Sequence, residues 1–242
     1  MSDNLKIQIL MPMGGLGQRF VEAGYDTPKP MIEIEGKPMF MKALESFPQN
    51  WEMQNIFVIR QDQDQKYNLK QQIESTLPTA QVEILDHNTG GAVETCLIAE
   101  QDIDDDLPII IADCDTRFKS LEYNKKVEKN QVDGLLLSFN SDDPRYSYAK
   151  LDDNGKVIET AEKVVISNHA LLGGYYIKSG KLFKEIAHQF VDNPLPQNLK
   201  EYFMSHLYNI LLEKGKRVEI ADADGFDIWG TPEELKAYFD KN

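Results

Sequence analysis

Two short stretches of this 242-residue chain carry residue types suited to holding an anion and a cation side by side. In MPMGGLGQRF, residues 11–20, Gly14, Gly15 and Gly17 separate an apolar run from Arg19, and Lys29 follows between Pro28 and Pro30. Closely spaced glycines let successive backbone N–H groups turn toward one point and form an anion-binding nest. An arginine fork, and a lysine whose backbone is restricted by a proline on each side, add charges suited to a triphosphate. In IIIADCD, Asp113 and Asp115 end a second apolar run. Carboxylates at a strand end can hold Mg2+ while phosphate oxygens and water complete its octahedron. Each feature also has a plainer reading: a tight strand-to-helix turn, a solvated loop lysine, or a helix cap from one aspartate.

Two better-known phosphate loops do not fit. The Walker ending Gly-Lys-Ser/Thr is absent, and Phe20 stands where the dinucleotide fingerprint needs its third glycine.

The elements that must position these residues alternate along the first half. Residues 6–11, 55–60, 81–85, 108–112 and 133–139 read as strands, and 38–47, 63–76, 91–101 and 119–130 as helices. That order predicts an α/β, Rossmann-like, mostly parallel sheet with helices on both faces, its ligands gathered at the carboxyl ends of the strands. Further on, YAKLDDNGKVIETAEK reads as a hairpin turning at Asp153, Asn154 and Gly155, and ALLGGYYIK as another strand; these predict a small inserted β lobe. Helices over 179–191 and 198–214, a strand over 217–221 and a helix from Pro232, capped by Thr231, close the chain. No repeat or linker appears, so residues 1–242 are expected to form a single domain.

Composition narrows the partners. Forty acidic against 26 basic residues leave a net charge of −14, which argues against nucleic-acid or anionic-membrane binding. The start, MSDNLKIQ, lacks the regions of a signal peptide and no apolar run reaches membrane-span length, so a cytoplasmic protein is expected. Cys96 and Cys114 have no zinc or redox spacing and read as reduced core thiols. The four histidines are too scattered for a metal cluster or a triad.

Taken in order, GGLGQRF with TPKPM, TGGAVETCLIAE, IIIADCD, ETAEKVVISNHALLGGYYIKSG and GTPEEL resemble the sugar-phosphate nucleotidylyltransferases, the nucleotidyl transferase or pyrophosphorylase family. The resemblance implies an enzyme that joins a nucleoside triphosphate to a phosphorylated small molecule, foremost a sugar 1-phosphate, with Mg2+ and release of pyrophosphate. Such chemistry supplies precursors for nucleotide sugars and surface polysaccharides. It implies Arg19 and Lys29 as catalytic residues, and Met13, Gly14, Gly15, Gly17, Thr89, Gly90, Gly91 and Ala92 around the nucleotide. Glu162, Lys163, Asn168, Gly173 and Gly174 would meet the acceptor, with Asn209 approaching it. Asp115 matches the metal-binding aspartate and Asp113 ranks behind it. A second metal-binding aspartate usually stands two residues ahead of the closing Gly-Thr-Pro; Asp227 stands three ahead of Gly230, and Asp224 is the alternative.

The base is not legible, because backbone contacts can be rearranged to read several bases. Three rival readings stay open. The chain could be a cytidylyltransferase for a non-sugar head-group phosphate, an Asp-x-Asp glycosyltransferase, or a nucleotide-binding relative without turnover. The glycosyltransferase reading leaves the glycine loop, Arg19 and Lys29 without pyrophosphate to grip. The inactive relative is motivated by the shifted Asp227.

Overall fold

The computed structural model describes residues 4–197 and 199–241. Its strands are β1 Lys6–Met13, β2 Glu33–Ile34, β3 Lys37–Pro38, β4 Glu52–Arg60, β5 Gln81–Leu85, β6 Ile109–Ala112 and β7 Thr116–Lys119. Then follow β8 Gly134–Asn140, β9 Ser147–Leu151, β10 Val157–Glu162, β11 His169–Ile177, β12 Val218–Asp222 and β13 Gly225–Ile228. The helices are α1 Gln18–Glu22, α2 Met39–Leu44, α3 Gln61–Tyr67, α4 Leu69–Thr76, α5 Ala92–Leu97 and α6 Leu121–Lys129. The last three are α7 Gly180–Val191, α8 Met204–Glu213 and α9 Pro232–Phe239.

A nine-stranded sheet organises the molecule. Strands β5, β4, β1 and β6 run parallel in that order, so their carboxyl ends meet at one edge. β1 is buried on both faces, as a parallel strand between helix layers must be. Alternation sends Ile7, Ile9, Met11 and Met13 into one core cluster and Leu10 into the other. Gln8, also buried, is satisfied: its amide nitrogen donates to the Asp104 and Leu107 carbonyls at 2.9 and 3.2 Å, and its oxygen accepts from the Asp104 N–H at 2.6 Å.

β11 runs antiparallel to β6, then to β8, which pairs in parallel with β12. The predicted hairpin forms as β9 and β10, and Asp152 accepts hydrogen bonds from the Asn154 and Lys156 N–H groups at its turn. Rather than standing apart as a lobe, it continues the same sheet beside β11, paired through Ala170 and Tyr148.

Several boundaries differ from the sequence reading for local reasons. The helix expected over 63–76 is two helices, because Asn68 adopts a left-handed conformation at φ 53° between them. The helix expected from residue 119 starts at Leu121: Ser120 caps it by accepting from the Tyr123 N–H, which leaves Thr116–Lys119 free to pair with β13. Within the predicted span 198–214, Asn198 lies outside the described residues and the helix begins at Met204.

The closing helix forms as predicted, with the Thr231 hydroxyl accepting from the Glu234 N–H at 3.2 Å and Pro232 in the first turn. Its Leu235 and Tyr238 pack with Phe20, Ile32, Ile34, Met39 and Trp229 in a third cluster. Tyr238 also donates to Glu35 across 203 residues of sequence, and Glu35 pairs with Lys42 at 2.6 Å. Arg117 lies within this network, 3.6 Å from both Glu35 and Glu45. Hydrogen bonds from Lys42 and Tyr238 hold the Glu35 carboxyl at about 2, below its ordinary 4.5. A carboxylate so depressed stabilises the fold above pH 4.5, and that contribution is lost as pH falls through about 2. Glu35→Gln is therefore expected to lower the thermal midpoint at neutral pH, and the gap from the parent should narrow between pH 4.5 and 2 in a melting series.

Candidate active site

The carboxyl ends of β1, β5 and β6 lead into the loops that carry the expected site residues, and β4 ends at Arg60 beside them. β1 runs into the glycine loop, which ends at Gly17 with φ 60° before the short α1. A side chain at Gly17 would be strained there, so glycine sets the turn that carries Arg19 beyond it. Gly14, Gly15, Thr89, Gly90, Gly91 and Ala92 line one cavity of about 520 Å³, together with Arg60 and Asn88. An adjoining cleft of about 730 Å³ is lined by Gly15, Gly17, Arg19, Lys29, Glu201 and Gly230. The exposed Arg19 thus stands over the same opening as the pinned lysine. Met13 is the exception among the expected nucleotide residues: its side chain is buried in the core, and its neighbours Pro12 and Gly14 face the cavity.

Lys29 opens a 3-10 turn, Lys29–Met31, and its ammonium forms an ion pair with Asp115, 86 residues away. Burial opposes the charge on Lys29, but the Asp115 carboxylate outweighs it and raises the ammonium to about 12. The Phe20 ring lies 5.7 Å from the same nitrogen. Burial works against the Asp115 charge as well; the Lys29 ammonium overcomes it and holds the carboxyl below its usual range.

Asp113 has the opposite situation. Burial, then the charge of Asp115, push its carboxyl upward, while the Lys29 ammonium pulls it the other way. It lies against β11, where a Cβ on Gly173 would come within 2.2 Å of its Oδ2. Gly173 therefore clears space for Asp113. Gly174 faces the core instead: a Cβ there would lie 3.0 Å from the Phe118 ring, and its carbonyl accepts from the Tyr123 hydroxyl at 2.9 Å. Cys114, between the two aspartates, is a free thiol raised to about 12 by burial, and Cys96 is also free.

The expected acceptor residues divide. Glu162 accepts from the Ser147 and Ser205 hydroxyls, and its other oxygen lies 3.7 Å from the Lys163 ammonium. Lys163, at φ 55°, points that ammonium over the Phe203 ring at 4.8 Å. Asn168 instead lines a shallow depression with Phe139, Asn140, His169 and Asp222. Asn209 is spent on structure: its amide bonds both the N–H and the carbonyl of Thr160.

The acidic loop near the carboxyl terminus is also committed. Asp227 sits opposite Arg117 in the β7–β13 pair and accepts from its Nε and Nη2 at 3.0 and 2.6 Å. Asp224 accepts from the Leu121 N–H at 2.9 Å, and Asp222 from the Ser138 hydroxyl at 2.6 Å. Among the described residues, no group of three or more His, Cys, Asp or Glu side chains could hold a metal ion.

Residues 199–203, expected within the helix over 198–214, lie ahead of the helix that begins at Met204. Tyr202 donates its N–H to the Gly90 carbonyl at 2.9 Å and accepts from the Val93 N–H at 3.1 Å, so this strand-like strap crosses the expected base-binding segment. The Gly90 N–H goes to Glu94, which leaves fewer free backbone groups than the motif suggests. Nothing in the periodicity of 199–203 marks such a contact. Arg60 and Asn88 were missed for the same reason: they meet at 2.9 Å across 28 residues only once β4 and β5 are side by side.

With this geometry, the comparisons with known proteins are consistent. The model of the nucleotidyl transferase family matches residues 8–239, and the chain belongs to that family. It is similar in structure to the nucleoside-diphosphate-sugar pyrophosphorylase of Vibrio cholerae RC9, at 27% identity over 96% of this chain and 99% of that one, TM-score 0.82. The inositol-1-phosphate CTP transferase of T. maritima shares the fold at 13% identity, 96% and 93% coverage and TM-score 0.74. A UDP-glucose pyrophosphorylase solved with UDP-glucose shares it at 17%, 98% and 100%, and 0.72. No curated protein matches the chain in sequence. No helix among the described residues is long and apolar enough to cross a membrane.

The strap gives one glycine a specific reason. A Cβ on Gly91, at φ 149°, would stand 2.5 Å from the Tyr202 nitrogen. Gly91→Ala is expected to destabilise the fold by about 1–3 kcal/mol in denaturant titrations. Gly15→Ala, with nothing within 4 Å of the added carbon, should leave stability nearly unchanged.

Proposed function

We propose that this nucleotidyltransferase transfers a nucleoside monophosphate from a nucleoside triphosphate to a sugar 1-phosphate, releasing pyrophosphate, in the supply of nucleotide sugars. The observation that carries the reading is the Lys29–Asp115 pair, which joins the proline-pinned cation to the strand-end carboxylate at the glycine-lined cleft. The sugar-acting names of two structural neighbours support the acceptor class, and the Vibrio cholerae protein matches over nearly its whole length.

In this reading the triphosphate lies along the glycine loop, its β and γ phosphates met by backbone N–H groups of Gly14, Gly15 and Gly17 and by Arg19. Lys29 bridges the reacting phosphates, and Thr89, Gly90, Gly91 and Ala92 flank the base. Lys163 orients the acceptor phosphate, whose oxygen attacks the α-phosphorus in line while pyrophosphate leaves from the opposite side. Glu162 meets the acceptor's body. The acceptor phosphate is already anionic, so no protein nucleophile or strong base is required; positioning and charge stabilisation do the work.

The donor set suits Mg2+: Asp115 with Asp113 beside it offers hard oxygens, and too few of them to dispense with substrate phosphates and water. When bound, the ion supplies Lewis-acid stabilisation of charge on the transferring phosphate. Asp115, which pairs with Lys29, would hold it. Asp227 joins Asp115 only by giving up its Arg117 partner, with Asp224 as the alternative.

The test is pyrophosphate release from ATP, GTP, CTP, UTP and dTTP, each with Mg2+ and pooled sugar 1-phosphates and head-group phosphates. Release is expected with one base and one sugar 1-phosphate, and to be absent in Asp115→Ala. Arg19→Ala should lower turnover on the order of a hundredfold or more while leaving the fold intact. Near-normal turnover in that variant would exclude the role given to Arg19, and release with a head-group phosphate alone would exclude the sugar acceptor.

A further inference from the structure

The cavity assigned to the base has one wall whose hydrogen-bonding sense is fixed by the fold. Arg60 ends β4 at that wall with its side chain largely buried, and Asp62 clamps it: Nε and Nη2 donate to the two carboxylate oxygens at 2.9 and 3.0 Å. The remaining arm, Nη1, donates to the Asn88 Oδ1 at 2.9 Å. A guanidinium has no acceptor, so the carboxamide must keep its oxygen toward Arg60 and its NH2 group away from it. A free carboxamide can flip to offer either a donor or an acceptor; this one offers only a donor. Both Arg60 and Asn88 line the cavity.

The acceptors of the neighbouring segment are engaged within the protein. The Gly90 carbonyl accepts from the Tyr202 N–H at 2.9 Å, and the Gly91 carbonyl from both the N–H and the hydroxyl of Thr95, each at 3.0 Å. The Thr89 hydroxyl is paired with that of Thr95 at 2.6 Å, and Glu94 receives the Gly90 N–H. Glu201, the lining carboxylate, is shared with the adjoining cleft that Arg19 and Lys29 border, on the phosphate side in the reading above. What the wall turns toward a base is therefore a hydrogen-bond donor, with few acceptors near it.

The candidate triphosphates differ in one exocyclic group: uracil, thymine and guanine carry an oxo group, an acceptor, where cytosine and adenine carry an amino group, a donor. We propose that Asn88 is the base-reading residue and Arg60 its positioning residue, so that the protein takes a triphosphate whose base presents an oxo group and disfavours its amino counterpart. An amino group there would meet the Asn88 NH2 donor to donor, and each would lose its water without gaining a partner. The inference rests on the nucleotide placement above and names the class of base that the site takes.

The experiment is calorimetric titration of the full-length protein with UTP, dTTP, CTP, GTP and ATP, each with Mg2+ and no acceptor, so that binding is read without turnover. The tightest ligand is expected to be an oxo-base triphosphate, and its amino counterpart, CTP for UTP or dTTP and ATP for GTP, to bind about tenfold or more weakly still. Asn88→Asp keeps an oxygen toward Arg60 and puts a second one where the NH2 stood; it should bring the oxo-to-amino ratio to unity or below. Taking the ratio cancels the general cost of an added negative charge. Arg60→Met frees the carboxamide to turn and should cut the ratio toward unity, whereas Arg60→Lys, still a donor, should retain more of it; a purely structural role would weaken both members of a pair alike. If Arg60→Met does not fold, Asn88→Asp decides. Tightest binding of CTP or ATP, equal binding within the pair, or a ratio unchanged in Asn88→Asp overturns the inference. Pyrophosphate release, measured in parallel, judges the reading beneath it. Selective binding with no release from any sugar 1-phosphate or head-group phosphate overturns that reading and leaves the base assignment, while release with an amino base overturns only the assignment. Absence of binding by every triphosphate overturns both.

Discussion

The site depends on bringing like charges together at the end of a buried strand and balancing them with one lysine. Asp113 and Asp115 leave β6 where the sheet is covered on both faces, so their mutual repulsion is poorly screened. The Lys29 ammonium answers that repulsion, and the prolines on either side of Lys29 deliver it with little backbone freedom to lose. One ion pair thus ties the Lys29 turn to the end of β6.

The sheet decides that these groups meet at all. β1 lies between β4 and β6 in parallel, so the glycine loop, Arg60 and the two aspartates emerge from the same edge despite long separations in sequence. β11 returns antiparallel beside β6 and puts Gly173 next to Asp113. The hairpin β9–β10 extends the sheet there and carries Glu162 and Lys163 toward the strap at Phe203. A mixed sheet, not a wholly parallel one, is what brings β11 and the β9–β10 hairpin to the β6 side of the parallel strands.

Around this edge the chain is fastened by contacts of long range. Arg117 ties β13 to the Glu35 turn and to α9, while Trp229 and Phe20 join the same apolar cluster beneath the glycine loop. On the other side, Tyr202 pairs its backbone with Gly90 and Val93, so Lys200 and Glu201, more than 100 residues away, line the same cavity as Gly90 and Gly91. These fastenings lie one layer behind the groups that would touch substrate, and they hold the loops in register with each other.

The sequence by itself determined the elements and the family. Apolar runs of strand length, the caps Ser120 and Thr231, the Asp-Asn-Gly turn and the ordered motifs are local signals, and local geometry obeyed them. Residue type also marked Gly14, Gly15, Arg19, Lys29 and Asp115, because glycine, proline and charge leave a trace at the position where they act. Tertiary structure alone decided the partners. Whether Asp227 faces Arg117 or a cation depends on which face of a four-residue strand it occupies, and no periodicity survives in so short a segment. The same limit hid the Tyr202 strap, the Arg60–Asn88 contact and the packing of Asp113 against Gly173, each of which is a relation between chain segments that only packing brings together.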